Sequence, residues 1–143
     1  MDKKIFTRTY RLIKSDNYDA FLKEAGASQA RRMQELRERP TLQLLQDKNK
    51  YTLRMASEHQ AKEIKFRPNE RFVQMGVDDK YVQTIMSFEN GNILVEMQMG
   101  PKPITILREF FVNGVMEMMM CEKTMCCRVY SSTERSVAKS SER

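Results

Sequence analysis

Apolar and polar residues alternate with a period of two along most of the chain after Pro40. The alternation is clearest in YTLRM at residues 51–55, NILVEMQM at 92–99 and ITILREF at 104–110. Because successive side chains of a β-strand point to opposite faces, this pattern predicts strands that bury one face. Turn sequences such as DKNK, RPNE and ENGN separate many of the runs. Nine strands are predicted, at residues 41–47, 50–56, 60–66, 71–76, 80–88, 92–99, 103–111, 115–121 and 125–131.

The chain before the first of these strands has a different pattern. Residues 5–14 alternate weakly and predict one further strand. The next segment, SDNYDAFLKEAG, predicts a helix that Asp16 or Asn17 caps and Gly26 ends. A second short helix is predicted over residues 28–37, which begin with a capping serine and are followed by a proline.

Ten short strands and one helical hairpin define the predicted fold. Strands at even spacing joined by tight turns indicate an antiparallel meander, and a long meander closes into a barrel because closure removes its exposed edges. The predicted fold class is all-β: a ten-stranded antiparallel up-and-down barrel with a helix-turn-helix after the first strand. We predict a barrel domain over residues 1–132 and a polar, flexible tail over 133–143, since TERSVAKSSER has almost nothing to bury.

Composition narrows the class of protein. The 143 residues suit one domain, and 41% hydrophobic and 31% charged residues are ordinary for a soluble globular chain. No apolar run is long enough to span a membrane and the N-terminal residues lack a signal-peptide core, so we expect a cytoplasmic protein, with the nucleus left open. In a reducing compartment the three cysteines are expected to be free thiols. The net charge of +6 permits nucleic acid, anionic membranes or anionic small ligands as partners.

The densest sulfur cluster is MEMMMCEKTMCC, at residues 116–127. A copper or zinc site requires ligands that converge on one point, whereas strand alternation sends neighbouring sulfur atoms to opposite faces. Cys126 and Cys127 face opposite ways for the same reason. We therefore expect no metal site and interpret the methionines as adaptable packing.

Two arginines and a tyrosine are candidates for binding an anion. Arg108 faces the core if Ile104 and Ile106 of the same strand do so, and Arg128 and Tyr130 share a face because they are two residues apart. Alternation leaves a solvent-facing position equally open. If all three point inward, they require an anion or ordered water, because an unpaired buried arginine is costly. The planar guanidinium fork and a tyrosine hydroxyl would suit a carboxylate.

These residues make the chain resemble the intracellular fatty-acid-binding protein family. RTYRLIKSDNYDAF at residues 8–21 is similar to the family's opening pattern, except that Arg8 stands where glycine is usual. Arg108 and then Arg128-x-Tyr130 match the family's carboxylate-binding residues on its eighth and tenth strands. KPITILRE, MSFENGN and KEIKFRPNERF also look like family strands, so the resemblance covers roughly residues 5–131.

The resemblance implies a clam-like barrel, the β-clam, with the helix-turn-helix as its lid and a long-chain fatty acid or similar hydrophobic carboxylate inside. It implies that Arg108, Arg128 and Tyr130 bind the carboxylate and that Phe21 and Leu22 belong to the lid and portal. It implies no cofactor beyond this ligand and no catalytic residue. By position, the residues implied to line the pocket are Tyr18, Met55, Val77, Asp78, Ile106 and Met118.

Other positions depart from the family pattern. His59 falls where a portal phenylalanine is usual, which would make the portal more polar; plain surface exposure is the alternative. The tryptophan common near the seventh strand is absent, with Met99 at its place, and Asn69 and Arg71 stand where a Gly-x-Glu-Phe turn is usual. The preferred length of the ligand is therefore not predicted.

The predicted ninth strand has two registers. One turns Met116, Met118 and Met120 inward and Glu117 outward, and the other buries Glu117. A direct residue count from Arg108 favours the second register. A carboxylate beside a fatty-acid site would repel the ligand, however, and on that ground we favour the first.

The predicted function is transport or buffering of a fatty acid by a monomeric carrier. A retinoic-acid-type retinoid carrier is the alternative, because it shares the barrel and the Arg-x-Tyr motif. A nucleic-acid-binding barrel is disfavoured for lack of exposed stacking aromatics, and an enzyme because the chain has one histidine and no nucleophile elbow. The lid carries Lys23, Arg31, Arg32 and Arg37, which suggests transient contact with anionic membranes.

Overall fold

The computed structural model describes residues 3–133. All but the first residue of the predicted tail, 133–143, therefore lie outside the described part of the chain. Within residues 3–133, no helix is both long and apolar enough to cross a membrane.

Ten antiparallel strands form one sheet that curls into a nearly closed barrel. The strands are β1 (Tyr10–Asp16), β2 (Thr41–Asp47), β3 (Lys50–Ala56), β4 (Ala61–Phe66), β5 (Arg71–Met75), β6 (Tyr81–Glu89), β7 (Ile93–Met99), β8 (Ile104–Phe110), β9 (Val115–Cys121) and β10 (Cys126–Ser132). Their order is β4-β3-β2-β1-β10-β9-β8-β7-β6-β5. Chain neighbours therefore pair except β4 and β5, which form the two edges of the sheet, and the ladder between β1 and β10 joins the first strand to the last. The predicted all-β fold class is confirmed.

The first predicted strand begins later than the sequence pattern indicated. Lys3–Thr7 form a 3₁₀ helix, and β1 starts at Tyr10. Ile5 is buried within this helix, which packs against β2, and Tyr10 contacts the ring of Phe110 at a centroid distance of 5.4 Å. The weak alternation of residues 5–9 thus belongs to a helical turn that buries one aliphatic side chain, and not to a strand.

Two short helices form the lid, α1 (Tyr18–Glu24) and α2 (Gln29–Arg37). Ser28 caps α2 as predicted, because its hydroxyl oxygen accepts a hydrogen bond from the backbone N–H of Arg31 at 3.1 Å. Gly26 follows α1 with a φ of 96°, a left-handed conformation that glycine adopts without steric cost. Asn17 does not cap α1 as predicted; its side-chain nitrogen donates to the carbonyl oxygen of Cys126 at 3.1 Å and ties the start of the lid to β10.

Two apolar clusters make up the core. One joins the lid to the barrel, where Phe21 and Leu22 of α1 are fully buried beside Ile106, Met120 and Cys127. Burial of a side chain of this size stabilises the fold by about 1.5–3 kcal/mol, so the lid is held firmly at α1. The other cluster lies within the barrel and comprises the buried residues Ile5, Tyr10, Leu42, Leu44, Leu53, Ile64, Phe66, Met86, Leu94, Phe110 and Met116.

The register of β9 is the one that the sequence analysis favoured. Met116, Met118 and Met120 line the interior, and Glu117 faces outward. The loop between β8 and β9 contains Gly114 with a φ of 89°. Because Arg108 pairs directly with Met118 and Phe110 with Met116, the loop introduces no one-residue slip, and the direct count that favoured a buried Glu117 is wrong.

The cysteines differ from the sequence-based expectation. Cys121 and Cys126 are direct cross-strand neighbours at the end of the β9–β10 hairpin, with a Cα–Cα distance of 4.1 Å, and they form a disulfide. The expectation of free thiols is therefore wrong for this pair. Cys127 alone is a free thiol, and it is buried.

Candidate functional site

The barrel contains a cavity of about 450 Å³, within the size range of small-molecule binding sites. Its wall combines aliphatic side chains from several strands with the three inward methionines of β9. Methionine has three rotatable bonds and a polarisable sulfur, so this wall can adapt to flexible apolar ligands. The apolar lining residues are Leu12, Ile13, Leu36, Pro40, Leu42, Met55, Ala56, Ile64, Met75, Val77, Ile106, Met116, Met118, Met120 and Val129.

One part of the cavity wall is a buried polar network centred on Glu96 of β7. Arg108 donates from Nη1 to Oε1 of Glu96 at 2.8 Å, and both side chains are at most 5% exposed. The other carboxylate oxygen of Glu96 accepts hydrogen bonds from Nε2 of Gln74 at 2.7 Å and Nε2 of Gln98 at 2.8 Å. Gln74 also lies 3.0 Å from the hydroxyl of Thr84. Side chains from three strands, β5, β7 and β8, therefore satisfy one buried carboxylate, and Thr84 of β6 extends the network.

Glu96 is ionised in this network. Burial opposes the ionisation, but the charge of Arg108 and the hydrogen bonds from Arg108, Gln98 and Gln74 outweigh it and hold the pKa of Glu96 below its ordinary value. The ion pair is consequently neutral as a unit. Among the described residues, nothing accepts a hydrogen bond from Nε of Arg108.

Arg128 and Tyr130 do not join Arg108, which corrects the predicted three-residue carboxylate site. Both lie on the outer face of β10, where they border a shallow depression, and Lys14 sits over the Tyr130 ring at 4.9 Å. The reason is strand pairing, because cross-strand partners share a face. Tyr130 pairs with Glu117, so the register that turns Glu117 outward also turns Tyr130 and Arg128 outward.

The other predicted site residues divide into two groups. Five of the six implied lining residues, Tyr18, Met55, Val77, Ile106 and Met118, are on the cavity wall. The sixth, Asp78, is instead in the β5–β6 turn, where its carboxylate accepts a hydrogen bond from the backbone N–H of Lys80 at 3.1 Å. His59 of the β3–β4 turn has a side chain 71% exposed and lies 3.7 Å from Glu58, outside the cavity lining.

Polar contacts hold the lid over the mouth of the cavity. The hydroxyl of Tyr18 donates to Glu35 at 3.2 Å, which links α1 to α2. Arg31 of α2 contacts Glu35 at 2.9 Å and also reaches Asp79 in the β5–β6 turn. Burial, followed by the charge and hydrogen bond of Glu35, raises the pKa of Tyr18, so its hydroxyl remains a donor. These contacts add charged groups at α2 to the apolar packing that holds α1 against the barrel.

Sequence reasoning missed Glu96, Gln98 and Lys62. The apolar alternation of NILVEMQM indicated that Met97 and Met99 face the core, yet they are 47% and 37% exposed. Glu96 and Gln98 share the face of Leu94 and point inward instead. The signal available in the sequence was the spacing of Glu96 and Gln98, two residues apart on one face. Lys62 of β4 lines the cavity in the same way, two residues before Ile64.

Metal binding finds no support in the described part of the chain. No group of three or more His, Cys, Asp or Glu side chains in residues 3–133 is arranged to hold a metal ion.

Comparison with known proteins agrees with the barrel and its cavity. The chain is 42% identical over 107 residues to the fatty acid-binding protein of Tyrophagus putrescentiae, covering 75% of this chain and 82% of that protein. It is 34% identical over 101 residues to the fatty acid-binding protein of Lepidoglyphus destructor, covering 71% of this chain and 77% of that protein. The fatty acid-binding protein from brain tissue of Drosophila melanogaster has the same fold, with a TM-score of 0.84 and 27% identity over 90% of this chain and 98% of that one. No family model matches the chain. The identity and coverage of the two curated relatives show that the chain belongs to the fatty-acid-binding protein family.

Proposed function

We propose that this protein is a carrier that binds a long-chain fatty acid, or a similar hydrophobic carboxylate, inside the barrel. The observation that carries the proposal is the cavity of about 450 Å³, with its methionine-rich wall and buried polar network. Relatives named fatty acid-binding proteins support the class of ligand. Members of this family are carriers rather than enzymes, and we assign no catalytic residue.

The apolar tail supplies most of the binding free energy in this proposal. Burying about 14 methylenes at about 0.8 kcal/mol each gives a gross gain of about 11 kcal/mol. A charge-assisted hydrogen bond to the head group adds about 1.5–3 kcal/mol. The polar contacts therefore select the chemistry and orientation of the head group, whereas the methionines of β9 accommodate the tail.

The lid is the surface that we assign to transient membrane contact. Met33 and Leu36 of α2 are 59% and 49% exposed, and Lys23 and Arg37 are exposed on the same helical hairpin. A mixed apolar and basic surface suits the interface of an anionic bilayer. Arg31 does not contribute, because it is paired with Glu35 and Asp79. A monomeric carrier in the cytoplasm fits this mode of transfer.

Lipid extraction tests the proposed ligand class. Protein purified from its own cells should release a fatty acid on acidic extraction, and delipidated protein should bind palmitate with a stoichiometry near one. Competition between palmitate and retinoic acid distinguishes the two carrier types, since a retinoid carrier would prefer retinoic acid. Protein that releases no lipid and takes up neither compound would overturn the proposal.

A further inference from the structure

Two ion pairs in the cavity wall leave little charge available for a ligand. In the barrel, Arg108 contacts Glu96 at 2.8 Å, and in the lid Arg31 contacts Glu35 at 2.9 Å. Each pair attracts a free anion only weakly because its charges cancel at a distance. A carboxylate brought to Arg108 would also meet the negative charge of Glu96, which opposes its ionised form.

Lys62 is a cavity-lining cation that forms no ion pair with the residues that the structure describes. It lies on β4 as the cross-strand partner of Met55, and both side chains line the cavity. Within residues 3–133, no carboxylate lies within ion-pair distance of its ammonium group and no acceptor is hydrogen-bonded to it. Desolvation by the surrounding protein lowers the pKa of Lys62, and the charges of both ion pairs also act on it. Lys62 is itself an exposed residue, so its ammonium group is accessible to an anion that enters the cavity.

The remaining cations on the cavity wall are less suited to binding an anionic group inside the cavity. Lys14 is placed over the ring of Tyr130, which is on the outer face of the barrel. Arg39 lies in the segment between α2 and β2, outside the strands that form the cavity wall.

We propose that Lys62, and not Arg108, binds the carboxylate of the ligand. The inference rests on the proposed function, because it requires a hydrophobic carboxylate in the cavity. The head group then lies on the β4 wall, and the tail packs along Met116, Met118 and Met120 of β9. Glu96 acts as an internal carboxylate that occupies Arg108 and keeps the ligand head group away from it.

The test compares hexadecanoic acid with hexadecan-1-ol, which has the same chain length but no charge. Lys62→Met should reduce the ratio of acid affinity to alcohol affinity by roughly tenfold to a hundredfold, the range expected for one charge-assisted hydrogen bond. Lys62→Arg should restore most of the ratio. Lys65→Met is the matched control, because Lys65 is a similarly exposed lysine of the same strand but is absent from the cavity lining. Thermal unfolding of each variant reports whether it is folded.

Each outcome has a defined consequence. If the wild-type protein binds both ligands and Lys62→Met leaves the ratio unchanged, the role of Lys62 is wrong while the carrier function stands. If Arg39→Met lowers the ratio of acid affinity to alcohol affinity and Lys62→Met does not, the head group lies at the rim and the inference is overturned. If the wild-type protein binds neither ligand, the proposed function fails, and the role of Lys62 fails with it.

Discussion

Two arginines that look alike in the sequence occupy opposite faces of the barrel wall. Arg108 of β8 is 4% exposed and bound by Glu96, whereas Arg128 of β10 is exposed to solvent. The strand between them decides the difference. Met118 of β9 pairs with Arg108 on one side and with Val129 on the other, so these three share the inner face and Arg128 takes the outer one. A shift of the strand register by one residue thus determines whether a charged side chain faces the cavity or the solvent.

Replacing Arg108 should produce the largest effect and is the strongest test of this comparison. Arg108→Met leaves Glu96 as a buried charge without its partner, so the free energy of unfolding at pH 7 should fall by about 3–5 kcal/mol. Urea unfolding followed by circular dichroism measures the change. Arg128→Met is the matched control, and equal losses in the two variants would contradict their different environments.

Glu96 should make the free energy of unfolding depend on pH in the acidic range. Its pKa is lowered in the folded protein, so its ionised form stabilises the fold above the pKa of an unfolded glutamate, and this contribution disappears as the pH falls through the folded pKa. Glu96→Gln should cost about 2–3 kcal/mol at pH 7, since Arg108 keeps a buried charge. The variant should also lose this part of the pH dependence. Unfolding free energies of the wild-type protein and of Glu96→Gln, measured between pH 7 and pH 3, test this expectation. Parallel pH curves for the two proteins would refute it.

The disulfide should contribute less than the buried methionines of β9 to the strand register that turns Arg128 outward. Removing it with Cys121→Ser and Cys126→Ser should lower the unfolding free energy by about 2 kcal/mol, because the bond closes only a short loop. The buried methionines of β9 should still hold the register. Cys127 then becomes the one cysteine of the chain, and its reaction with a thiol reagent should stay slow because it is buried. Rapid labelling under native conditions would show that the disulfide, and not packing, sets the register.

Arg128 should have the smallest effect. Because it lies outside the cavity, Arg128→Met should change the affinity for hexadecanoic acid by less than about twofold and the unfolding free energy by less than about 0.5 kcal/mol. Isothermal titration and urea unfolding measure the two quantities. A large loss of acid affinity with no loss of alcohol affinity would mean that Arg128 reaches the ligand after all.

Local patterns predicted the helices and strands because the interactions that favour these elements join residues close together in the sequence. The alternation of Tyr51, Leu53 and Met55 identified β3, and the cap at Ser28 located the start of α2. The same logic failed on β7, where Met97 and Met99 face outward while Glu96 and Gln98 face inward. A buried carboxylate is tolerable only when other strands supply its partners, and Arg108 and Gln74 do so. The sequence of β7 alone contains no record of those partners.

The sequence by itself determined where strands, turns and lid helices lie, because a period of two and the capping and turn residues act within a few neighbours. It also carried the resemblance that the relatives confirm. Only the tertiary structure decided which face of β10 holds Arg128, which carboxylate pairs with Arg108, and that Lys62 lines the cavity. Register and charge pairing join residues distant along the chain, and their free energies depend on all the strands at once.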